Sequence, residues 1–154
     1  MRPADELQLR PATAADAARL TELVQAAYGH YVERIGGPPR PLLDDYDEVV
    51  RRHAVTVAER DGGIVGLIVL VDDAEGFSVD NVAVDPAAQG GGVGGVLLAH
   101  AEAEGRRRGV GAIHLLTHEL MTENLELYAH LGYTEYDRRS YGEGSLVYMR
   151  KRLG

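Results

Sequence analysis

The sequence contains no cysteine. That excludes disulfides, a thiolate nucleophile and any cysteine-ligated metal. It has no apolar run near the ~20 residues a helix needs to cross a bilayer. Positive charge is also short. With 16 Lys and Arg against 24 Asp and Glu, the formal net charge is −8, whereas nonspecific nucleic-acid binding normally rests on a basic surface. Lys151 is the only lysine. With abundant Ala and Gly, that arginine bias points to a GC-rich bacterial genome and says nothing about function. The opening MRPADELQLR is charged and lacks the apolar centre of a signal peptide. The expectation is a cytoplasmic protein with neither a membrane nor a nucleic-acid partner. No G-x-S-x-G context surrounds Ser78 or Ser145. His114 and His118 lie four apart with no evident third ligand, so no metal is expected.

What is present is enough for one domain, 1–154, with 45% hydrophobic residues to build its core. Leu7 to Arg10 reads as a short strand. Thr13 to Asp16 resembles a capping box. Ala17, Leu20, Val24, Ala27, Tyr28 and Tyr31 then follow at helical spacing. Gly36-Gly-Pro-Pro39 interrupts, and Asp44 or Asp45 is placed to cap a shorter helix through Tyr46 and Val49. Val55 to Arg60 and Ile64 to Val71 flank Asp61-Gly-Gly63, a hairpin signal. Phe77 to Val84 is a further strand. Val93, Leu97 and Ala101 share a helix face closed by Arg106 to Arg108 and Gly109. A strand over 112–117, a helix over 122–131 and two closing strands complete the order β-α-(α)-β-β-β-α-β-α-β-β. The reading is a mixed α/β (α+β) fold. A mostly antiparallel sheet of about six or seven strands is flanked by about four helices.

The stretch VDPAAQGGGVGG, Val84 to Gly95, carries the functional signal. Flanking strand and helix patterns argue against a slack linker. Gly90, Gly92 and Gly95 satisfy G-x-G-x-x-G, but a dinucleotide site needs the first glycine directly after a parallel strand. Here Asp85 to Gln89 intervene and the preceding strands form a hairpin. No Lys-Ser/Thr follows, which excludes a P-loop. The remaining reading is a helix N-terminus with bare backbone, where unpaired N–H groups and the helix dipole favour an anion. On its own this indicates a phosphate-bearing ligand and no more.

Val82-Ala-Val-Asp-Pro86 followed by Gln89-Gly-Gly-Gly92-Val-Gly94 resembles the acyl-CoA signature of the GNAT superfamily of N-acetyltransferases. Asn124-Leu-Glu-Leu-Tyr128 through Gly132-Tyr133 resembles that family's second signature. Both occur in order, and the element order matches over nearly the whole chain. The resemblance implies acetyl-CoA as acyl donor and an amine as acceptor. It places the diphosphate on Gln89, Gly90, Gly91, Gly92, Val93, Gly94 and Gly95. It lays the pantetheine arm along Val82, Ala83 and Val84, near Asn124. It gives Tyr128 the role of general acid towards the departing thiolate. The segment Tyr31-Val-Glu-Arg-Ile-Gly36 is similar to one in uncharacterised bacterial members and brings no substrate with it.

The base is open between Asp80, His118 and Glu119, with Glu33 weaker and a water chain as a further route. Strict alternation puts Ser78, Asp80 and Val82 on one strand face. The resemblance places the acceptor groove between the early helices and the last strands, with Tyr31, Glu33, Arg34, Asp44, Asp45, Tyr46 and Tyr141 as candidates and Pro38-Pro-Arg-Pro41 shaping its entrance. The acceptor is expected to be a small-molecule or peptide amine, and the protein a monomer or homodimer. A non-catalytic acyl-CoA sensor on the same fold is the alternative. Relatives commonly carry Arg or Lys in the loop, where Gly91 stands here. A neutral loop predicts weak cofactor binding with little salt dependence.

Overall fold

The structure, a computed structural model, describes residues 7–141 and 144–154. The first six residues, part of the charged N-terminal stretch, lie outside it. Seven strands are present: β1 (Gln8–Pro11), β2 (Ala54–Arg60), β3 (Gly63–Asp73), β4 (Gly76–Val84), β5 (Ala112–His118), β6 (Thr134–Tyr141) and β7 (Gly144–Arg152). The helices are α1 (Ala17–Tyr28), α2 (Tyr31–Ile35), α3 (Tyr46–Arg52), α4 (Val93–Arg108) and α5 (Thr122–His130). The sheet order is β1-β2-β3-β4-β5-β7-β6. Every pairing is antiparallel except β4 with β5.

Both sheet faces are covered, which explains the unbroken apolar run of β3. Leu67 and Val69 join Leu20, Val24 and Tyr28 of α1 on one face. Ile68 and Leu70 join Val93, Leu97 and Ala101 of α4 on the other. A Cβ on Gly66 would lie 2.9 Å from a Val93 methyl and 3.0 Å from one of Leu97. The bare Gly66 therefore lets the start of α4 sit directly on the sheet.

The expected caps form. The Thr13 N–H donates to Asp16 Oδ2 at 2.8 Å. Asp45 accepts from the Asp47 N–H at 3.0 Å and starts α3.

Two irregularities position the site. Val69 pairs with Asn81 but Leu70 pairs with Val79, so Asp80 is an extra residue on β4. This β-bulge reverses the strand's phase. Phe77 and Val79 pack towards α4 before it, and Val82 and Val84 do so after it. Val82 therefore does not share a face with Ser78 and Asp80, which corrects the alternation expected from sequence. The second irregularity lies between β4 and β5, where only Ser78 and His114 pair. Beyond that point the two parallel strands diverge and leave a cleft through the sheet.

Candidate active site

The divergence exposes backbone. Asp85 N–H bonds to Val65 O at 2.9 Å, and Ala83 and Asn81 lie opposite Leu67 and Val69. Bonding to β3 falls on alternate residues of an antiparallel pair. The N–H groups of Val82 and Val84 therefore face the β5 side, where no strand meets them. A helix N-terminus adds further donors. Gly92 caps α4 in the left-handed region at φ 81°, a conformation glycine adopts without a Cβ clash. The Val96 N–H bonds to Gly92 O, leaving the N–H groups of Val93, Gly94 and Gly95 without intrahelical acceptors.

Two cavities occupy the cleft. One, of about 390 Å³, runs from the glycine loop between β4 and α5. Val82, Ala83, Val84, Gln89, Gly90, Gly92, Val93, Gly94, Gly95, Asn124 and Tyr128 all line it, so nearly every residue expected at the cofactor does. Gly91 does not. The other cavity, of about 280 Å³, lies deeper between β4 and β5 under the 39–41 segment, and most of its wall is apolar. Tyr28, Val82, Asn124 and Tyr128 line both cavities and mark where they meet.

Tyr128 is 5% exposed. Burial pushes its phenol above the ordinary tyrosine value, and the neighbouring Tyr31 adds to the effect. The group is therefore held protonated, as a proton donor must be. Asn124 Nδ2 donates to Thr117 Oγ1 at 3.4 Å, tying α5 to β5. Tyr28 and Asn81 belong to a buried polar chain. The Tyr28 hydroxyl lies 2.7 Å from Val82 O and 2.8 Å from Asn81 Oδ1. Asn81 Nδ2 donates to the Tyr46 hydroxyl at 3.0 Å, which donates to Pro41 O at 2.8 Å. The chain links α1, α3, the 39–41 segment and β4 at the junction.

The three base candidates are placed very differently. Asp80 lines the deeper cavity, with Oδ2 3.1 Å from an Arg40 nitrogen, and Arg40 also donates to Asp80 O at 2.8 Å. His118 lines the same cavity but is 4% exposed. Its Nδ1 accepts the Leu120 N–H at 3.1 Å. A neutral ring that accepts at Nδ1 carries its proton on Nε2, and Nε2 is buried with no partner. His118 thus presents no lone pair to the cavity. Glu119 lines neither cavity and pairs with Arg138 at 3.2 Å.

Of the residues expected in the acceptor groove, Tyr141 lines the deeper cavity, as do Pro39, Arg40 and Pro41 of the entrance segment, whereas Tyr31, Glu33, Arg34, Asp44, Asp45 and Tyr46 do not. Tyr31 lines the loop-side cavity instead. Arg34 pairs with Glu123 at 2.6 Å, which holds the Glu123 carboxyl down to about 2. Glu33 is exposed, and Tyr46 is buried in the polar chain. Sequence reasoning missed Tyr28, Asn81 and Thr117. Tyr28 sits in the apolar spacing of α1 and reads as core; nothing local marks its hydroxyl. Among the described residues there is no cluster of three or more metal-ligating side chains, and no helix is long and apolar enough to cross a membrane.

A family model described as an acetyltransferase (GNAT) domain matches residues 51–135. No protein of curated function matches the chain by sequence. Solved structures share the fold. The ribosomal-protein-S18-alanine N-acetyltransferase from Escherichia coli superposes with TM-score 0.78 at 19% identity, covering 97% of this chain and 95% of that one. The PaiA N-acetyltransferase from Thermoplasma acidophilum, in complex with coenzyme A, gives 0.82 at 17% identity, covering 96% and 99%. A GNAT family acetyltransferase from Elizabethkingia anophelis with acetyl-CoA bound gives 0.75 at 21% identity, covering 97% and 99%.

Proposed function

The chain belongs to the GNAT acetyltransferases, and from that premise we propose that it moves an acetyl group from acetyl-CoA directly to a primary amine, with both substrates bound at once. The observation that carries this reading is the meeting of two cavities at Tyr28, Val82, Asn124 and Tyr128. The loop-side cavity is suited to the cofactor. It offers the bare backbone of Gly90, Gly92, Gly94 and Gly95 to a diphosphate and the unpaired edge of β4 to the pantetheine amides. Two of the structural relatives were solved with coenzyme A or acetyl-CoA. The deeper cavity is left for the acceptor, and its apolar wall suits an amine that carries a hydrocarbon group.

The thioester supplies the acetyl group. The Val82 N–H polarises its carbonyl and holds the negative charge that develops on oxygen when the amine adds. Asp80 receives the proton of the incoming ammonium, directly or through one water, so that the nitrogen lone pair is free to attack. It is chosen over its rivals because Glu119 stands outside both cavities and His118 offers only a donor. The new C–N bond forms as the C–S bond breaks. Tyr128 gives its proton to the departing sulfur and is restored by the second nitrogen proton, and Asp80 then releases its proton to solvent, so the products are an amide, the free thiol and one proton. Tyr28 and Asn81 hold the β4 backbone at the junction.

Thiol release from acetyl-CoA over a panel of primary amines tests this reading. Turnover is expected with at least one hydrophobic amine and not with the same amine blocked by methylation. Tight cofactor binding with no turnover on any amine would instead favour an acyl-CoA sensor.

A further inference from the structure

The loop that carries no basic residue is not without a cation. Arg60 ends β2 at the β2–β3 turn. Its Nε is buried with no hydrogen-bond partner. The preceding residue, Glu59, pairs with Arg10 at 3.1 Å, and Asp85, before the loop, pairs with Arg19 at 2.7 Å. No ion pair among the described residues includes Arg60. Its guanidinium lies against Gly91. A Cβ on Gly91 would be 3.4 Å from Nη1 and 3.7 Å from Nη2 of Arg60. Gly91 is also the glycine between Gly90 and Gly92 that does not line the cavity. One face of the loop backbone thus fronts the cavity, while Gly91 turns to the guanidinium. The arginine stands where a side chain at position 91 would project.

We infer that Arg60 supplies the positive charge of the cofactor's diphosphate site from behind the loop, and that Gly91 is bare to admit it. This rests on the reading of the loop as the acetyl-CoA site. An arginine keeps its charge at any pH the protein meets. With no ion pair to Arg60 among the described residues, that charge adds to the partial charge of the sixteen-residue helix α4 at the same end. Arg60 therefore acts by charge through one layer of backbone, and its effect depends on charge rather than on guanidinium geometry.

The test is calorimetric binding of acetyl-CoA across a salt series, for the wild type and for Arg60→Gln, Arg60→Lys and the double variant Arg60→Gln/Gly91→Arg. Position 91 is not among the glycines with positive φ, so its backbone suits an L-residue, with the new Cβ 3.3 Å from Ala88 O. The expected result is about tenfold weaker binding and a flatter salt dependence in Arg60→Gln. Arg60→Lys should stay within about threefold of wild type. The double variant should regain most of the loss, because the new side chain enters the space the old one left. Transfer from S-acetylpantetheine, which carries the thioester but no diphosphate, should be equal in wild type and Arg60→Gln. That equality separates lost charge from a damaged fold. Equal acetyl-CoA affinity and equal salt slope in wild type and Arg60→Gln would overturn the inference while leaving the acetyl-CoA reading intact. Failure of the wild type itself to bind acetyl-CoA would overturn both.

Discussion

The hydroxyl of Tyr28 on α1 lies 2.7 Å from the carbonyl oxygen of Val82 on β4. One helix thereby fixes the strand residue whose other backbone group, the N–H, faces the cleft. Tyr28→Phe removes the single hydroxyl proton available to Val82 O and the buried Asn81 Oδ1. An unsatisfied buried acceptor costs about 1–3 kcal/mol. The expected outcome is a thermal midpoint lowered by several degrees, together with a fall in kcat. Differential scanning calorimetry and thiol-release kinetics on the same preparation check both parts.

Tyr128→Phe removes the proposed proton donor with little change in volume. General acid catalysis contributes about 10²–10⁴-fold, so kcat should fall about a hundredfold with the cofactor KM nearly unchanged. The phenol is held above its ordinary value by burial. The wild-type rate should accordingly show no alkaline loss at the pH where a free tyrosine ionises. A normal alkaline limb that vanishes in Tyr128→Phe would place the phenol's ionisation lower than its burial demands.

Asp80→Asn tests proton removal from the ammonium. At pH 7 the loss in kcat/KM for the amine should be about a hundredfold. Raising the pH supplies more free amine from solution, so the deficit should shrink steadily on the alkaline side. A deficit that stays constant with pH would make Asp80 a positioning partner of Arg40 and no base.

Gly92→Ala places a Cβ at φ 81°. That conformation costs an L-residue roughly 1–2 kcal/mol, which the loop can relieve by moving its free N–H groups off the cavity. Weaker acetyl-CoA binding with amine KM unchanged is the expected signature. Calorimetric titration of the cofactor measures it.

The Arg10–Asp16 pair joins β1 to the start of α1. Hydrogen bonding from Arg10 is the main reason the Asp16 carboxyl falls from 3.8 to about 2. A carboxyl whose folded-state value is depressed stabilises the fold fully above its unfolded value and loses that contribution as the pH falls to the folded one. Asp16→Asn should therefore be less stable than wild type at pH 7, with the gap closing between pH 4 and pH 2. Urea denaturation across that range checks the sign.

Much of the architecture was legible in sequence because it depends on local rules. Asp61-Gly-Gly63 set the hairpin, Asp45 capped α3, and the spacing of Leu20, Val24 and Tyr28 gave a buried helix face. The offset of Asp85-Pro86 before the glycines separated this loop from a dinucleotide fingerprint. Gln89 to Gly95 read correctly as a helix start with open backbone, since φ > 0 and free N–H groups follow from glycine and helix geometry alone.

The acceptor side was decided by contacts across the chain. The bulge at Asp80 breaks the alternation because β3 and β4 differ by one residue in register, a mismatch visible only when both strands are paired. The divergence of β4 from β5 arises where two parallel strands part after one pairing, and it creates both cavities. Tyr28 looked like core because its spacing is helical, yet its hydroxyl meets a strand more than fifty positions away. The loop's charge followed the same pattern. Gln89 to Gly95 hold no basic residue, so the sequence by itself determined a neutral loop. Only the tertiary structure brought Arg60 to Gly91, because packing places side chains by proximity in space and a local motif records only proximity along the chain.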